Sequence, residues 1–566
     1  RMTVAYYGIH PQPARLWQDF MSHPPDRFGV DVETHSIDDI TLMGVGLGTE
    51  EDGFYITTDD PNFGRVIDLL RDTNRAKIYH NAPFDLRVLR DYNIDVHNVD
   101  DTAMMARLYP EPSAVLEDVS FWVGQQTQSM KRLFEEHKVS KVIDLPFEVL
   151  AEKCCRDAMA TASLYSYYAE RINMDYYTWL RPMFGILNII SRQGIKLDQD
   201  RLQSLDIYYG KKIMQYRQIC QSAGFSASSP QQVGYFLGSR GSFLPLTRKG
   251  TQLVTDDEHL KKLKDPMAHV VLEYRHASKM ESTYIRPYIG KDRAYTTLRM
   301  EAATGRVNST GAGKEQPDRN LQNIPKNAER ASDDIHAVRS VFVPDHGMFT
   351  SMDKSQVELR ILAELSGDTA MKDLFSRDED IHQWVVDRTG LSRTLAKNLN
   401  YGIVYGGDVQ TISNFLGMAD LHQVQDLMDM YAQLFPQAWQ WFEYQESTGV
   451  STGCVYTMGG RPLRLPAEQG ERHMKNCARN YPIQGSAFED ITTLMLDPSI
   501  LQYLDITRLQ VHDELILDGD IYIEGMVLNP EKSEKEGHQI FDIKGRLAWL
   551  SGFYAPLEVQ KVERWG

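Results

Sequence analysis

The chain has 566 residues, 42% hydrophobic and 25% charged, a soluble globular composition too long for one core; about three or four domains are expected. No apolar run reaches the roughly 18 residues that cross a bilayer, no signal peptide is visible, and Arg1 leaves the natural start open. A net charge of −17 disfavours a protein that merely coats nucleic acid, and five cysteines (Cys154, Cys155, Cys220, Cys454, Cys477) without a CxxC pair argue for a reducing compartment and against structural zinc.

Residues 1–170 alternate short strands (RFGVDVE, TLMGVGLG, DGFYITT, KIYHN) with helical stretches, an α/β pattern. Asp31 and Glu33 lie two apart in a strand and share one face. Asp85 follows a strand in YHNAPFDLRVL, where Asn81 can cap a helix. Asp157 lies in the helical CCRDAMATASLY. A D-x-E pair by itself is usually surface acid. The pattern turns helical near 182–198 and stays so through RLQSLDIYYGKKIMQYRQICQSAG and MAHVVLEYRHASKMESTYIRPY, with the loop ASSPQQVG between them. Strands and helices mix again from about 295. No repeat or low-complexity linker is present, so the domains should pack tightly. Two basic stretches are candidates for a nucleic-acid groove: Arg299, Arg306, Lys314, Arg319, Lys326 and Arg330, then Arg461, Arg464, Arg472, Lys475 and Arg479. Ordinary solvated charge explains either stretch alone more simply.

In MFTSMDKSQVELRILAEL a strand should deliver Asp353, and a helix should start near Ser355 with Val357, Ile361, Leu362 and Leu365 on one face. Ser355 and Glu358 fit a capping box. In SRTLAKNLNYGIVYGG, Arg393, Lys397, Tyr401 and Tyr405 recur every four residues and form one helical stripe. A guanidinium, an ammonium and two rings suit a nucleoside triphosphate; a solvated basic face with half-buried tyrosines is the plain alternative. Gly402 inside this helix costs roughly 1 kcal/mol relative to Ala and points to a close backbone approach. RLQVHDELILD reads as a hairpin around His512–Glu514 with acids at its tip. Asp353 and Asp513, brought to one point from separate strands, would repel each other unless divalent cations sat between them. That is the requirement of a two-metal phosphoryl-transfer site.

The order DKSQVELRILAELSGD, RTLAKNLNYGIVYGG, VHDEL resembles the palm and fingers motifs of family A DNA polymerases, the DNA polymerase I type. EAATGRVNS with RNLQNIP resembles the family's primer-template segment, EYRHASKMESTY its thumb end, and GRPLRLP with RNYPIQGSAFEDI the segment before the last motif. This similarity runs from about residue 180 to the end. The four N-terminal acids, with Asn81 and Phe84 in NxxxFD, resemble the DEDD 3′–5′ exonuclease over about residues 25–170. The resemblance implies an α/β multidomain fold, with a ribonuclease H-like 3′–5′ exonuclease domain (1–175) ahead of a right-hand polymerase (176–566). The thumb would span about 199–295, the palm about 296–370 and 450–566, and the fingers about 371–449. The 5′-nuclease domain of bacterial DNA polymerase I is not seen, and with the trimmed fingers this looks phage-like.

The resemblance also implies roles. Asp353 and Asp513 would bind two Mg²⁺ ions that activate the primer 3′-hydroxyl and hold the triphosphate. Arg393 and Lys397 would grip the phosphates, with Lys397 also an acid for the leaving pyrophosphate. Tyr401 would pack against the incoming sugar and base; many members carry Phe there, and the hydroxyl should weaken discrimination against dideoxynucleotides. Glu358 matches the steric gate against a ribose 2′-hydroxyl, and both cap and gate stay open to it. Gln356, His382 and Tyr405 belong to the dNTP site, while Arg306, Asn320, Gln322, Asn323, Asn480, Gln484 and His512 match residues near the primer-template. Asp31, Glu33, Asp85 and Asp157 would hold two divalent ions that activate a hydrolytic water. The implied partners are primer-template DNA and dNTPs, acting on a monomer without a membrane, in the cytoplasm or in a host's cytoplasm if phage-encoded.

Three departures stand out. DYSQ is DKSQ here, with Lys354 replacing the aromatic. The stretch from His382 to Arg393 is short. Lys153 occupies the position, four before Asp157, where the exonuclease family often has a water-orienting tyrosine, and this leaves proofreading open. Two rivals remain: a single-subunit RNA polymerase, disfavoured by Glu358 and the His512–Glu514 triplet, and an inactivated scaffold, disfavoured by intact Asp353, Lys397 and Asp513.

Overall fold

The computed structural model describes residues 6–8, 13–36, 39–110, 113–247, 249–310, 319–325, 338–536, 539–543 and 555–565. Apolar N-terminal segments form β1 (Tyr6–Gly8), β2 (Arg27–Thr34), β3 (Leu42–Gly48), β4 (Gly53–Thr57), β5 (Ala76–Tyr79) and β6 (Val99–Asp101), in one sheet of order β1-β4-β3-β2-β5-β6. Pairs on the β1 side are antiparallel, while β2, β5 and β6 run parallel. Helix α1 (Ala82–Asp91) follows β5, and the long α2 (Phe147–Ala169) lies across β2 and β3. Glycine makes that second packing possible. A Cβ on Gly29 would sit 1.9 Å from the Ala158 carbonyl oxygen, and one on Gly46 would sit 2.8 Å from that of Cys154. The close approach carries Lys153 and Asp157 over the face of β2 that presents Asp31 and Glu33.

Asn81 is left-handed (φ 72°) and does not cap α1, contrary to the sequence expectation. The Asp101 carboxylate takes that role from the next strand, accepting from the Ala82 amide at 2.8 Å. The helical middle is built on α3 (Gln199–Ser222) and α4 (Pro266–Lys279), which pack together; α4 runs on into a π-helical turn, Met280–Ile285.

The second large sheet contains β7 (Phe349–Lys354), β8 (Thr507–Val511), β9 (Glu514–Asp518), β10 (Val527–Leu528), β11 (Gln539–Ile543) and β12 (Leu557–Val562), ordered β8-β9-β7-β12-β11-β10. Around it lie α5 (Val357–Ser366), α6 (Ile381–Thr389), α7 (Arg393–Val404), α8 (Val409–Leu416) and α9 (Glu471–Leu496). The close approach expected at Gly402 is the packing of α8, since an added Cβ would lie 3.3 Å from the Phe415 ring and 3.4 Å from Ile412. One apolar core runs from Ile78 of the first sheet, and Met104 of the helix Thr102–Arg107 that follows it, through the helical middle to Val559 of the second sheet. Across that junction the Tyr176 hydroxyl donates to Glu489 at 2.8 Å, and Arg508 donates to Gln193 at 3.0 Å.

Candidate functional site

Asp353 and Asp513 meet at one end of the second sheet. β7 pairs with β9 so that Asp353 stands opposite Glu514, and the Lys354 amide donates to the Asp513 carbonyl at 3.2 Å. His512 makes the tight turn between β8 and β9 with φ 56°. Neighbouring strands lie about 4.8 Å apart, so both half-buried carboxylates issue from one place. Glu514 has other partners, the Ser351 hydroxyl at 2.6 Å and Arg339 at 3.9 Å. Burial first, then the charges of Glu358, Asp513 and Asp353, push the Tyr401 phenol well above its ordinary pKa. Its neutral hydroxyl therefore sits in the combined field of three carboxylates. Hard oxygen donors with accumulated negative charge, reachable from solvent, fit a hard divalent cation.

Helix α7 buries Ala396, Leu399, Ile403 and Val404. Its opposite stripe leaves Arg393 and Lys397 exposed, Tyr401 half-buried and Tyr405 exposed at the C-cap. The two tyrosine rings stack at 6.0 Å, and Tyr401 lies 5.8 Å from the His382 ring. Asp380 ties α6 to α7. Its Oδ1 accepts the His382 amide at 2.8 Å, and its Oδ2 receives Arg393 at 2.6 Å. His382 is buried, with the Asn400 amide nitrogen 2.8 Å from Nδ1. Burial, opposed by Asp380 and reinforced by Arg393 and Lys397, pushes its pKa down to about 4.

Glu358 receives the Arg306 guanidinium on one oxygen and the Tyr405 hydroxyl, at 2.9 Å, on the other. It is not part of a capping box. Helix α5 starts only at Val357, after a left-handed Gln356 (φ 51°) that provides no side-chain cap, and Ser355 lies outside it. The Gln356 side-chain oxygen is buried without a hydrogen-bond partner among the described residues. Gln322 donates to the Gln510 carbonyl of β8 at 2.9 Å, and Asn320 accepts the Asn323 amide at 3.0 Å. Asn480 and Gln484 lie one turn apart on α9, the first buried and the second half-buried.

The second basic stretch does not form a continuous strip. Arg461 is buried, passing where a Cβ on Gly305 would lie 1.9 Å from its Nη1. Arg472, Lys475 and Arg479 pair with Asp408, Glu471 and Glu446. In the first stretch Arg299 lies 3.4 Å from Glu301, and Lys314, Lys326 and Arg330 fall outside the described residues.

The four N-terminal acids also converge, but around an ammonium. Lys153 Nζ lies 2.8 Å from Glu33, 2.7 Å from Asp157 and 3.9 Å from Asp31. Asp85 approaches from α1 and accepts the Val32 amide at 3.1 Å. Burial raises all four carboxyl pKa values, with Lys153 opposing the rise at Asp31, Glu33 and Asp157. Burial opposes the Lys153 charge, yet Asp157, Glu33 and Asp31 together hold its pKa well above the ordinary value. Lys153 takes one oxygen of Glu33 and one of Asp157, while Asp31 Oδ2 and Asp157 Oδ1 are buried without a hydrogen-bond partner among the described residues.

Two participants were missed in the sequence. Asp380 had a visible signal, an acid at the N-cap slot before an apolar helix. Cys154 had none; its sulfur comes within 4.8 Å of ligand atoms of Asp31 and Glu33, and burial keeps it a neutral thiol by raising its pKa.

Among relatives, DNA polymerase I of Synechocystis sp. is 28% identical over 89% of this chain and 57% of its own length. DNA polymerase I of Bacillus subtilis is 30% identical over 87% of this chain and 59% of its own. The chain thus spans a little over half the length of these relatives. Its fold is similar to that of the POL domain of Pol1 from M. smegmatis, solved with DNA primer-template and dNTP, at a TM-score of 0.74, 98% coverage of both chains and 22% identity. Residues 195–521, more than half of the chain, match the model of DNA polymerase family A, and the protein belongs to that family.

Proposed function

We propose that this chain is a DNA-directed DNA polymerase, extending a primer 3′ end with dNTPs. The observation that carries the reading is the meeting of Asp353 and Asp513 beside the outward stripe of α7. These two carboxylates would hold a pair of Mg²⁺ ions, which when bound lower the pKa of the 3′-hydroxyl and steady the triphosphate. Arg393, oriented by Asp380, and Lys397 meet the phosphates, and Lys397 gives a proton to the leaving pyrophosphate. Tyr401 offers its ring to the incoming sugar and base. Arg306 and Tyr405 hold Glu358 where it crowds a 2′-hydroxyl. Gln356 and neutral His382 complete the nucleotide pocket. Asn320, Gln322, Asn323, Asn480, Gln484 and His512 serve the duplex side.

The polymerase unit takes residues 176–566, with thumb, palm and fingers divided as the motifs imply. Residues 1–175 form a proofreading-type 3′–5′ exonuclease unit whose hydrolysis is slow or absent, a reading supported by the Lys153 contacts. Five cysteines that form no disulfide support a cytoplasmic setting, that of a host if the chain is phage-encoded.

The test is extension of a matched primer with dNTPs and then rNTPs, in Mg²⁺ and in chelator. Metal-dependent incorporation of dNTPs is expected. Preference for rNTPs would favour an RNA polymerase, and absence of extension a scaffold.

A further inference from the structure

We infer that Lys153 is a built-in cation standing in for divalent metal in the N-terminal acid cluster, so that this centre keeps its fold without bound metal and does not carry out hydrolysis. The inference rests on the exonuclease-type reading of residues 1–175 and deepens it.

The geometry is specific. Asp31 and Glu33 project from alternate positions of β2, and Asp157 comes from α2, about one helical turn beyond Lys153. Because glycines let α2 sit backbone-close on the sheet, a side chain four residues before Asp157 has nowhere to go but among the acids or out through a neighbouring cleft. Lys153 in fact borders two clefts. One is lined by Asp31, Glu33, Asn81 and Asp85; the other by Arg132, Glu136 and Arg156. In the second, both guanidiniums already have acidic partners, Arg132 with Glu136 and Arg156 with Glu152. In the first, Nζ reaches Glu33 and Asp157 at 2.8 and 2.7 Å, ordinary lengths for charge-assisted hydrogen bonds. An ion bound by those same oxygens would have to displace the ammonium. A tethered cation also has an entropic advantage over a free ion, because it is always present at high effective concentration.

The experiment uses the full chain with Asp353→Asn and Asp513→Asn, so that Mn²⁺ bound at the polymerase centre does not mask the N-terminal one. Free Mn²⁺ is followed by electron paramagnetic resonance during titration. With Lys153 present, no site tighter than millimolar is expected. With Lys153→Ala, at least one site appears that is at least tenfold tighter, and it disappears when Glu33→Gln is added. Equal Mn²⁺ affinity with and without Lys153, abolished in both by Glu33→Gln, would overturn the inference, since the lysine would then simply step aside. So would a folded Lys153→Ala chain that gains no Mn²⁺ site. If Lys153→Ala does not fold, Lys153→Ala with Asp157→Asn removes one charge of each sign and is held to the same tenfold gain through Asp31 and Glu33. Digestion of a 3′-mismatched primer is read in parallel. Mn²⁺ gained with new digestion supports both readings; Mn²⁺ gained without it supports the stand-in cation and removes the exonuclease reading.

Discussion

The protein gathers carboxylates twice and treats them differently. At the N-terminal cluster three acids from β2 and α1 meet a fourth, Asp157, on the helix laid over them, and Lys153 of that helix donates to two of the four. At the second sheet Asp353 and Asp513 stand half-buried at a strand end, with an arginine, a lysine and two tyrosines presented on a neighbouring helix. Burial decides the difference. A buried cluster of carboxyls is stabilised by an internal cation or by taking up protons, whereas a half-open pair leaves part of its charge to solvent. The same residue type thus reads as structure in one place and as chemistry in the other.

Four experiments break or sharpen that contrast. The largest effect belongs to Asp513→Ala. Loss of a metal ligand removes several kcal/mol of transition-state stabilisation, so single-turnover extension should fall by roughly 10³-fold or more, while duplex affinity measured by fluorescence anisotropy stays near normal. Retained extension would show that the pair at the second sheet is no more catalytic than the N-terminal cluster. Lys397→Ala should lower the maximal incorporation rate by about 10²-fold and weaken the apparent dNTP affinity, both read in rapid-quench assays. Glu358→Ala should relax discrimination against rNTPs by about 10-fold or somewhat more, the scale of a lost close contact. The ratio of kcat/KM for the two sugars measures it, and an unchanged ratio would leave Glu358 only a packing role with Arg306 and Tyr405.

The smallest effect is acid sensitivity around α6 and α7. His382 has a folded pKa of about 4 against an ordinary 6.5. The unfolded chain therefore takes up a proton that the folded chain refuses, so the stabilisation is complete above about 6.5 and is lost as pH falls toward 4. After allowance for solvent screening it is on the order of 1–2 kcal/mol. Denaturation midpoints of the wild type and His382→Gln, followed from pH 7 to pH 4.5, should converge as the pH drops. Parallel lines would remove His382 from the account.

Much of this was legible in the sequence because it is local. The strand-turn-helix around Asp353, the four-residue stripe of α7 and the hairpin at His512 each follow from short-range periodicity. What escaped depends on approach between distant segments. Asp101 caps α1 from another strand, so the expected Asn81 cap was displaced by a partner twenty residues away. Arg461 looked like groove charge but is buried, because Gly305 leaves room for it. The apparent capping box at Ser355 and Glu358 dissolved once Arg306 and Tyr405, both remote in sequence, claimed the carboxylate. Lys153 lay between these cases: its position marked a departure, but only the closeness of α2 to the sheet reveals which way its ammonium points.

Lys354 is buried and pairs at 3.1 Å with the equally buried Asp490 of α9. Severing one half of such a pair typically costs about 3–5 kcal/mol, so β7 and α9 are clamped into a single anvil. Any movement of one relative to the other would have to part that buried pair.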